Sequence, residues 1–91
     1  MTIMELFTEM SNINAKAVKA AADQDLDALE IYEKMFDVLY ESAKARKNEM
    51  TKDDAVVYVS ILDNQEGILR LKKLLIEIKY INALNELEDL T

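Results

Sequence analysis

The sequence contains no cysteine, no histidine and no proline, and it has a single glycine, Gly67. Without cysteine or histidine the chain lacks a thiolate nucleophile, an imidazole base and a soft metal ligand, and one glycine cannot build a phosphate-binding loop. The absence of cysteine also excludes a disulfide framework, as is usual in the reducing cytosol. These absences predict a protein that is not an enzyme and that holds no metal or cofactor.

Positive charge is scarce, because 11 Lys and Arg residues accompany 18 Asp and Glu residues and the formal net charge is -7. Such a surface repels a phosphate backbone, so we expect no binding to nucleic acid. Long apolar runs are missing as well. The start, MTIMELFTEM, carries acids where a signal peptide carries bases, and no later segment reaches membrane-spanning length. We therefore expect a cytoplasmic protein that does not enter a membrane.

The residues that are present favour helix. Ala, Leu, Ile, Glu, Lys and Met supply much of the chain, while Pro and Gly, which destabilise helices most, are nearly absent. The length of 91 residues suits one domain near the lower limit for an independent core. The sequence thus predicts one all-α domain over residues 1–91, an antiparallel three-helix bundle or hairpin with a long last helix and coiled-coil-like packing.

Start signals place the predicted helices. Thr2 with Glu5 has the spacing of a capping box, in which two side chains satisfy free backbone N–H groups, and Thr51 with Asp54 repeats that spacing. The acidic break at 23–27 supplies N-cap candidates for the second helix. The predicted helices cover about 3–22, 25–47 and 52–90.

Apolar residues at steps of three and four predict the buried faces of the first two helices. On the first helix this face comprises Leu6, Phe7, Met10, Ile13, Ala17, Val18 and Ala21. On the second it comprises Leu29, Tyr32, Met35, Phe36, Leu39 and Ala43, and it is widened by Ile31 and Val38.

The last helix carries two apolar seams on nearly opposite sides, and each seam returns every three or four residues. The first seam is Ala55, Val59, Leu62, Glu66, Leu69, Lys73, Ile76, Tyr80, Ala83, Leu87 and Leu90. The second seam is Val57, Ile61, Asn64, Ile68, Leu71, Leu75, Ile78, Asn82 and Asn85. Residues 55–62 would also suit a buried strand, and Gly67 weakens a helix, but both seams keep their register through these positions, which favours one helix.

The lengths of the helices predict an overhang. The second helix should be about 35 Å long and the third about 60 Å, so the second ends opposite roughly Leu74 and leaves 75–90 uncovered. An uncovered apolar helix of this kind is typical of an interface. The alternative is a bundle in which the third helix is central, covered on both seams, with a bend at Gly67. The asparagines of the second seam either fix register in an interface or mark where that seam is open to water.

A helix with two apolar seams predicts a partner, and we expect a non-enzymatic protein that binds another protein's amphipathic helix. The predicted partner-binding residues are Val57, Ile61, Ile68, Leu71, Leu75, Ile78, Tyr80 and Leu87. One alternative is a homo-oligomer formed through the last helices. Another is a small acidic regulator or inhibitor, of phage origin for example, that occupies a basic surface of a host protein. Acidic clusters at 23–27 and 86–89 should meet at one end of the bundle, away from the basic residues near 44–52.

The chain also resembles the flagellar export chaperones of the FliT and FlgN type. In LFTEMSNINAKAVKAAADQDLDALE an alanine-rich helix end passes through an acidic break into a second amphipathic helix, and the long helix ILDNQEGILRLKKLLIEIKYINALNEL follows. The resemblance implies an antiparallel helical bundle of the bacterial cytoplasm. It also implies that a hydrophobic groove holds the amphipathic helix of an export substrate.

Overall fold

The computed structural model describes residues 1–89, which form three α-helices joined by short connections. The elements are α1 (Ile3–Ala22), α2 (Leu26–Ala45), a 3₁₀ turn (Lys47–Glu49) and α3 (Lys52–Asp89). The prediction of an all-α fold with a long last helix is confirmed, and the ambiguous stretch 55–62 is helical. Leu90, the last residue of the predicted third helix and of the first seam, lies outside the described residues.

Reciprocal side-chain caps begin α1 and α3. Thr2 Oγ1 accepts a hydrogen bond from the Glu5 N–H at 3.0 Å, and Glu5 Oε1 accepts one from the Thr2 N–H at 3.4 Å. The Thr2 side chain, and after it the Thr2 backbone N–H, lower the pKa of the Glu5 carboxyl by hydrogen bonding to it. Thr51 and Asp54 make the same exchange at 3.0 and 3.1 Å. Both predicted capping boxes are therefore confirmed.

The turn between α1 and α2 joins a C-cap directly to an N-cap. Gln24 has φ of 56°, and the N–H groups of Gln24 and Asp25 bond to the carbonyls of Ala21 and Ala20 at 3.0 and 2.9 Å. This pair of bonds is a Schellman motif, in which a left-handed residue ends a helix. Asp25 Oδ1 then accepts from the Ala28 N–H at 3.0 Å and starts α2. The chain reverses within three residues, so α1 and α2 are antiparallel neighbours.

Helix α1 is the central element, because it packs along both α2 and α3, while α2 and α3 touch at few places. The larger core cluster contains Ile3, Leu6, Phe7, Met10, Ile13, Phe36, Ala43, Tyr58 and Ile61. The smaller cluster, nearer the α1–α2 turn, contains Ala17, Ala20, Ala21, Leu29 and Ile68. The alternative in which α3 is central and breaks at Gly67 is wrong, since α3 is one helix through that residue.

Two contacts link α2 to α3. The Tyr58 ring stacks between Phe7 and Tyr40, with ring centroids 6.0 and 6.4 Å away. Nearer the α1–α2 turn, Lys72 Nζ lies 2.5 Å from Glu33 Oε2, and both side chains are partly buried. These contacts hold the first two thirds of α3 against the hairpin.

A polar layer separates the two core clusters. Asn14 and Gln65 are both more than nine-tenths buried, as few polar residues of this chain are. Asn14 Nδ2 donates to the Ile61 carbonyl at 3.2 Å, and Asn14 Oδ1 accepts no hydrogen bond from the described residues. Asn14 therefore fixes the register of α1 on α3 at the cost of a desolvated carbonyl oxygen.

Four residues predicted to be buried are exposed, and those predictions are wrong: Val18 on α1, and Ile31, Met35 and Val38 on α2. The physical reason is the arrangement around α1. Helix α2 is covered along one narrow stripe only, so its wider apolar arc reaches solvent, and Val18 of α1 borders an open groove between α1 and α3.

Helix α3 sets the length of the molecule. The principal extents are 61 × 19 × 19 Å and the radius of gyration is 16.7 Å, compared with about 12 Å for a compact domain of this size. Since α1 and α2 each have 20 residues and α3 has 38, the end of α3 extends well beyond the hairpin.

Candidate functional site

The last part of α3, residues 76–89, is exposed along its whole length, and we call it the overhang. Leu75 is the last residue of α3 that is partly buried, and every residue from Ile76 to Asp89 is exposed. At 1.5 Å per residue the overhang is about 21 Å long, close to four helical turns. Its start opposite the α1–α2 turn agrees with the point near Leu74 predicted from helix lengths.

Large apolar side chains cover most of the circumference of the overhang. Six of them are 42 to 65% exposed: Ile76, Ile78, Tyr80, Ile81, Leu84 and Leu87. At 100° per residue, Ile76, Tyr80 and Leu87 follow the first seam, and Ile78 lies on the second. Ile81 and Leu84 fall in the interval between the two seams. Lys79, Asn82, Glu86 and Asp89 lie together on the remaining side, so the overhang keeps one narrow polar side.

The overhang and the α1–α2 turn enclose a recess of about 480 Å³. Its apolar lining comes from Leu26, Leu75, Ile78 and Ala83. Its polar lining comes from Gln24, Asp25, Asp27, Lys79, Asn82 and Glu86. The recess therefore combines apolar side chains with polar side chains that are mainly acidic. It forms where the hairpin ends and α3 continues.

Negative charge is concentrated at this end of the molecule. Residues 76–89 hold four carboxylates and one lysine, Lys79, a formal charge of -3, and Asp23, Asp25 and Asp27 add a further -3. Of these charged residues, Asp25, Asp27, Lys79 and Glu86 line the recess, with a formal charge of -2. Asp25 caps α2, and the positive end of the α2 dipole offsets part of its charge. Asp27 and Glu86 are exposed.

The predicted partner-binding residues fall into two groups. Val57, Leu71, Ile78, Tyr80 and Leu87 are exposed, and Leu75 is partly buried against the smaller core cluster.

Ile61 and Ile68 are only 4 and 5% exposed, because α1 covers them. Their assignment to a partner surface is corrected: they belong to the chain's own core. Within the second seam, Ile61, Ile68 and Leu75 contact the rest of the chain, whereas Val57 and Leu71 and the positions beyond Leu75 are exposed. Its asparagines Asn64, Asn82 and Asn85 are all exposed to solvent.

A second groove, which the sequence pattern did not indicate, lies between α1 and α3 on the side away from α2. It has a volume of about 480 Å³ and is lined by Ser11, Asn14, Ala15, Val18, Asn64, Gly67, Ile68 and Leu71. Small residues form much of it, and a Cβ added at Gly67 would meet no atom within 4 Å. The seven-residue spacing from Ser11 to Val18 and from Asn64 to Leu71 is the signal that could have located it.

The described part of the chain contains no group of three or more acidic side chains arranged to hold a metal ion. Within residues 1–89, none of the helices has both the length and the apolarity needed to cross a membrane. The exposed apolar surface of the overhang is therefore the feature of this structure that most needs a functional account.

Comparison of the chain with protein-family models, with curated protein sequences and with solved structures yields no match.

Proposed function

We propose that this protein is a non-enzymatic, cytoplasmic binding protein that holds an amphipathic helix of another protein against the overhang of α3. The observation that carries this proposal is the exposure of six large apolar side chains around residues 76–89. Helix-in-groove recognition uses apolar anchors at steps of three and four residues, and the first seam continues through the overhang with this spacing at Ile76, Tyr80, Ala83 and Leu87. A chaperone or adaptor role follows, of the kind that export chaperones of the FliT and FlgN type perform.

The size of the apolar surface limits the affinity that it can supply alone. Complete burial of a Leu or Ile side chain is worth about 1.5–3 kcal/mol, so six half-exposed side chains offer roughly 6 kcal/mol. Association costs about 4–15 kcal/mol in lost translational and rotational freedom. A partner must therefore make further contacts, and the recess beside the overhang is the nearest surface available for them.

Self-association through the overhang is a second candidate, favoured by the positions of Lys79 and Glu86. These residues are seven apart on one line of the helix, so an antiparallel second copy would place each lysine beside the other copy's glutamate. This arrangement would make the chain a homo-oligomer.

Site-specific photo-cross-linking in the source cell tests the proposal. A benzophenone amino acid at Leu84 in the overhang should form adducts with a second protein, and the cross-linked peptide should belong to an amphipathic helix. The same amino acid at Val56, which is exposed at the start of α3, is the control position and should form none.

A matched pair of variants tests whether the adduct depends on the overhang. Ile78→Ser with Leu87→Ser should abolish the adduct, whereas Ile31→Ser with Val38→Ser, which alters two exposed apolar residues of α2, should preserve it. An adduct with twice the mass of the chain would identify self-association instead. If position 84 forms no adduct of either kind, the proposal fails.

A further inference from the structure

The overhang combines an apolar surface with an excess of negative charge, and this combination restricts what can cover it. The recess is lined by Asp27 from the α1–α2 turn and by Glu86 from α3, together with Leu75, Ile78 and Lys79. A helix that buries its apolar side against Leu75 and Ile78 lies in the same recess as both carboxylates, which outnumber the one lysine.

We infer that the partner of the overhang is an amphipathic helix of a different protein, with an excess of lysine and arginine along the edges of its apolar face. This inference rests on the proposed function and adds the chemical class of the partner. Basic flanks would face Asp27 and Glu86 at distances shorter than the screening length of about 8 Å at physiological salt. Charge complementarity of this kind increases the rate of association and selects among apolar helices that would otherwise bind equally.

A second copy of the chain fits this charge pattern less well. Its overhang would bring a further formal charge of -3 to a surface that already carries -3, next to three aspartates of the turn. Lys79 could pair with one glutamate of the other copy, but it cannot compensate four carboxylates on each side. Like charges placed together across an interface oppose association. A helix with net positive charge meets no such penalty.

Three labelled peptides of about five helical turns, a little longer than the overhang, test the inference. The first has leucines at steps of three and four with lysine at the flanking positions. The second has the same leucines with glutamate at the flanks. The third has the composition of the first in a scrambled order without an apolar face. Fluorescence anisotropy of each peptide with the full chain measures its Kd.

The lysine peptide should bind at least about tenfold more tightly than the glutamate peptide and the scrambled peptide. Asp27→Asn with Glu86→Gln should weaken its binding about fivefold and should reduce its dependence on salt. Glu9→Gln with Asp37→Asn makes the same change in net charge at exposed positions distant from the recess and should leave the Kd within about twofold.

Each other result has a definite meaning. In one case the lysine and glutamate peptides bind equally to the chain, and both fail to bind the Ile78→Ser, Leu87→Ser variant. This result would overturn the inference of a basic partner and leave the proposed function intact. Binding of the scrambled peptide as tightly as the ordered one would reduce the interaction to unspecific attraction and overturn the inference. The inference of a basic partner is also overturned if no peptide binds, or if the chain dimerises and thereby excludes the lysine peptide. In either case the photo-cross-link at position 84 decides whether the proposed function holds.

Discussion

The two parts of α3, residues 52–75 and the overhang, carry similar side chains in different surroundings. Both contain Ile, Leu and Tyr at steps of three and four, and both belong to one unbroken helix. In the first part Tyr58, Ile61 and Ile68 are buried, whereas in the overhang Ile78 and Tyr80 are exposed. The difference arises at Ala22 and Leu26, where α1 ends and α2 begins. How much of α3 is shielded from solvent therefore depends on the lengths of α1 and α2.

This difference has a consequence for stability. A helix of about 14 residues is marginal by itself in water, and most helical stability in proteins comes from packing. The overhang avoids the cost of nucleation because it continues a helix that is already formed, but it gains little from tertiary contacts. A partner that covers it would add stability to the segment that has least.

Hydrogen exchange should show the largest contrast between the two parts. Amides of residues 58–68 are expected to open with a free energy near that of global unfolding, and amides of 76–89 with a free energy near zero. Exchange of the full chain followed by mass spectrometry or NMR measures this. Equal protection in both parts would mean that something in solution, such as a second copy, covers the overhang.

The next contrast is between two isoleucines. Ile61→Ala should lower the free energy of unfolding by about 2–5 kcal/mol, because it leaves a cavity between α1 and α3. Ile81→Ala removes the same atoms from an exposed position and should change stability by less than about 0.5 kcal/mol. Urea unfolding followed by circular dichroism measures both. A similar loss of unfolding free energy in both variants would contradict the exposure of Ile81 in the overhang.

A smaller effect is expected at the single glycine. Gly67 lies within α3 with open space around it, so Gly67→Ala should stabilise the protein by about 1 kcal/mol through helix propensity.

The matched change in the overhang is Ala83→Gly. It should lower helix content without shifting the unfolding midpoint, because the free end frays separately from the core. Thermal unfolding followed by circular dichroism compares the pair. A destabilised Gly67→Ala variant would instead indicate that the groove beside this residue closes in solution.

The smallest expected effect is a loss of stability at alkaline pH. Burial, and after it the neighbouring Tyr40, raises the pKa of Tyr58 above its ordinary value of 10.0. The unfolded chain then ionises at lower pH than the folded one, so this contribution is complete below about pH 10 and is lost as pH rises through the folded pKa. Tyr58→Phe should weaken the alkaline loss, and Tyr80→Phe in the overhang is the control. An unchanged profile in Tyr58→Phe would refute this assignment.

Local features were predictable because their causes are local. Thr2 with Glu5 and Thr51 with Asp54 begin α1 and α3 through contacts three residues apart. The end of α2 was predicted at 47, whereas the helix ends at Ala45 and a 3₁₀ turn follows. The position where α3 loses its cover was predictable too, since it depends on helix lengths and a short connection. Gln24 was not foreseen in its left-handed conformation, because glycine is the usual residue there.

The wrong predictions concern which apolar residues of different helices pack against each other. Ile61 and Ile68 follow the same pattern as Ile78, so spacing alone assigned all three to the partner surface. Ile31 and Val38 continue an apolar arc that a third neighbour would have covered. The groove beside Gly67 was missed because it joins residues of two helices, and the pattern of one helix does not contain it.

The sequence by itself determined that this protein is helical, where each helix begins, and that α3 is longer than α1 and α2. These properties follow from backbone propensity, capping and length, which act within a few residues. Only the tertiary structure decided that α1 is the central helix, that Ile61 and Ile68 are internal, and that Asp27 and Glu86 border one recess. The reason is that burial depends on which helix lies opposite, and contacts between residues distant in the chain set that choice.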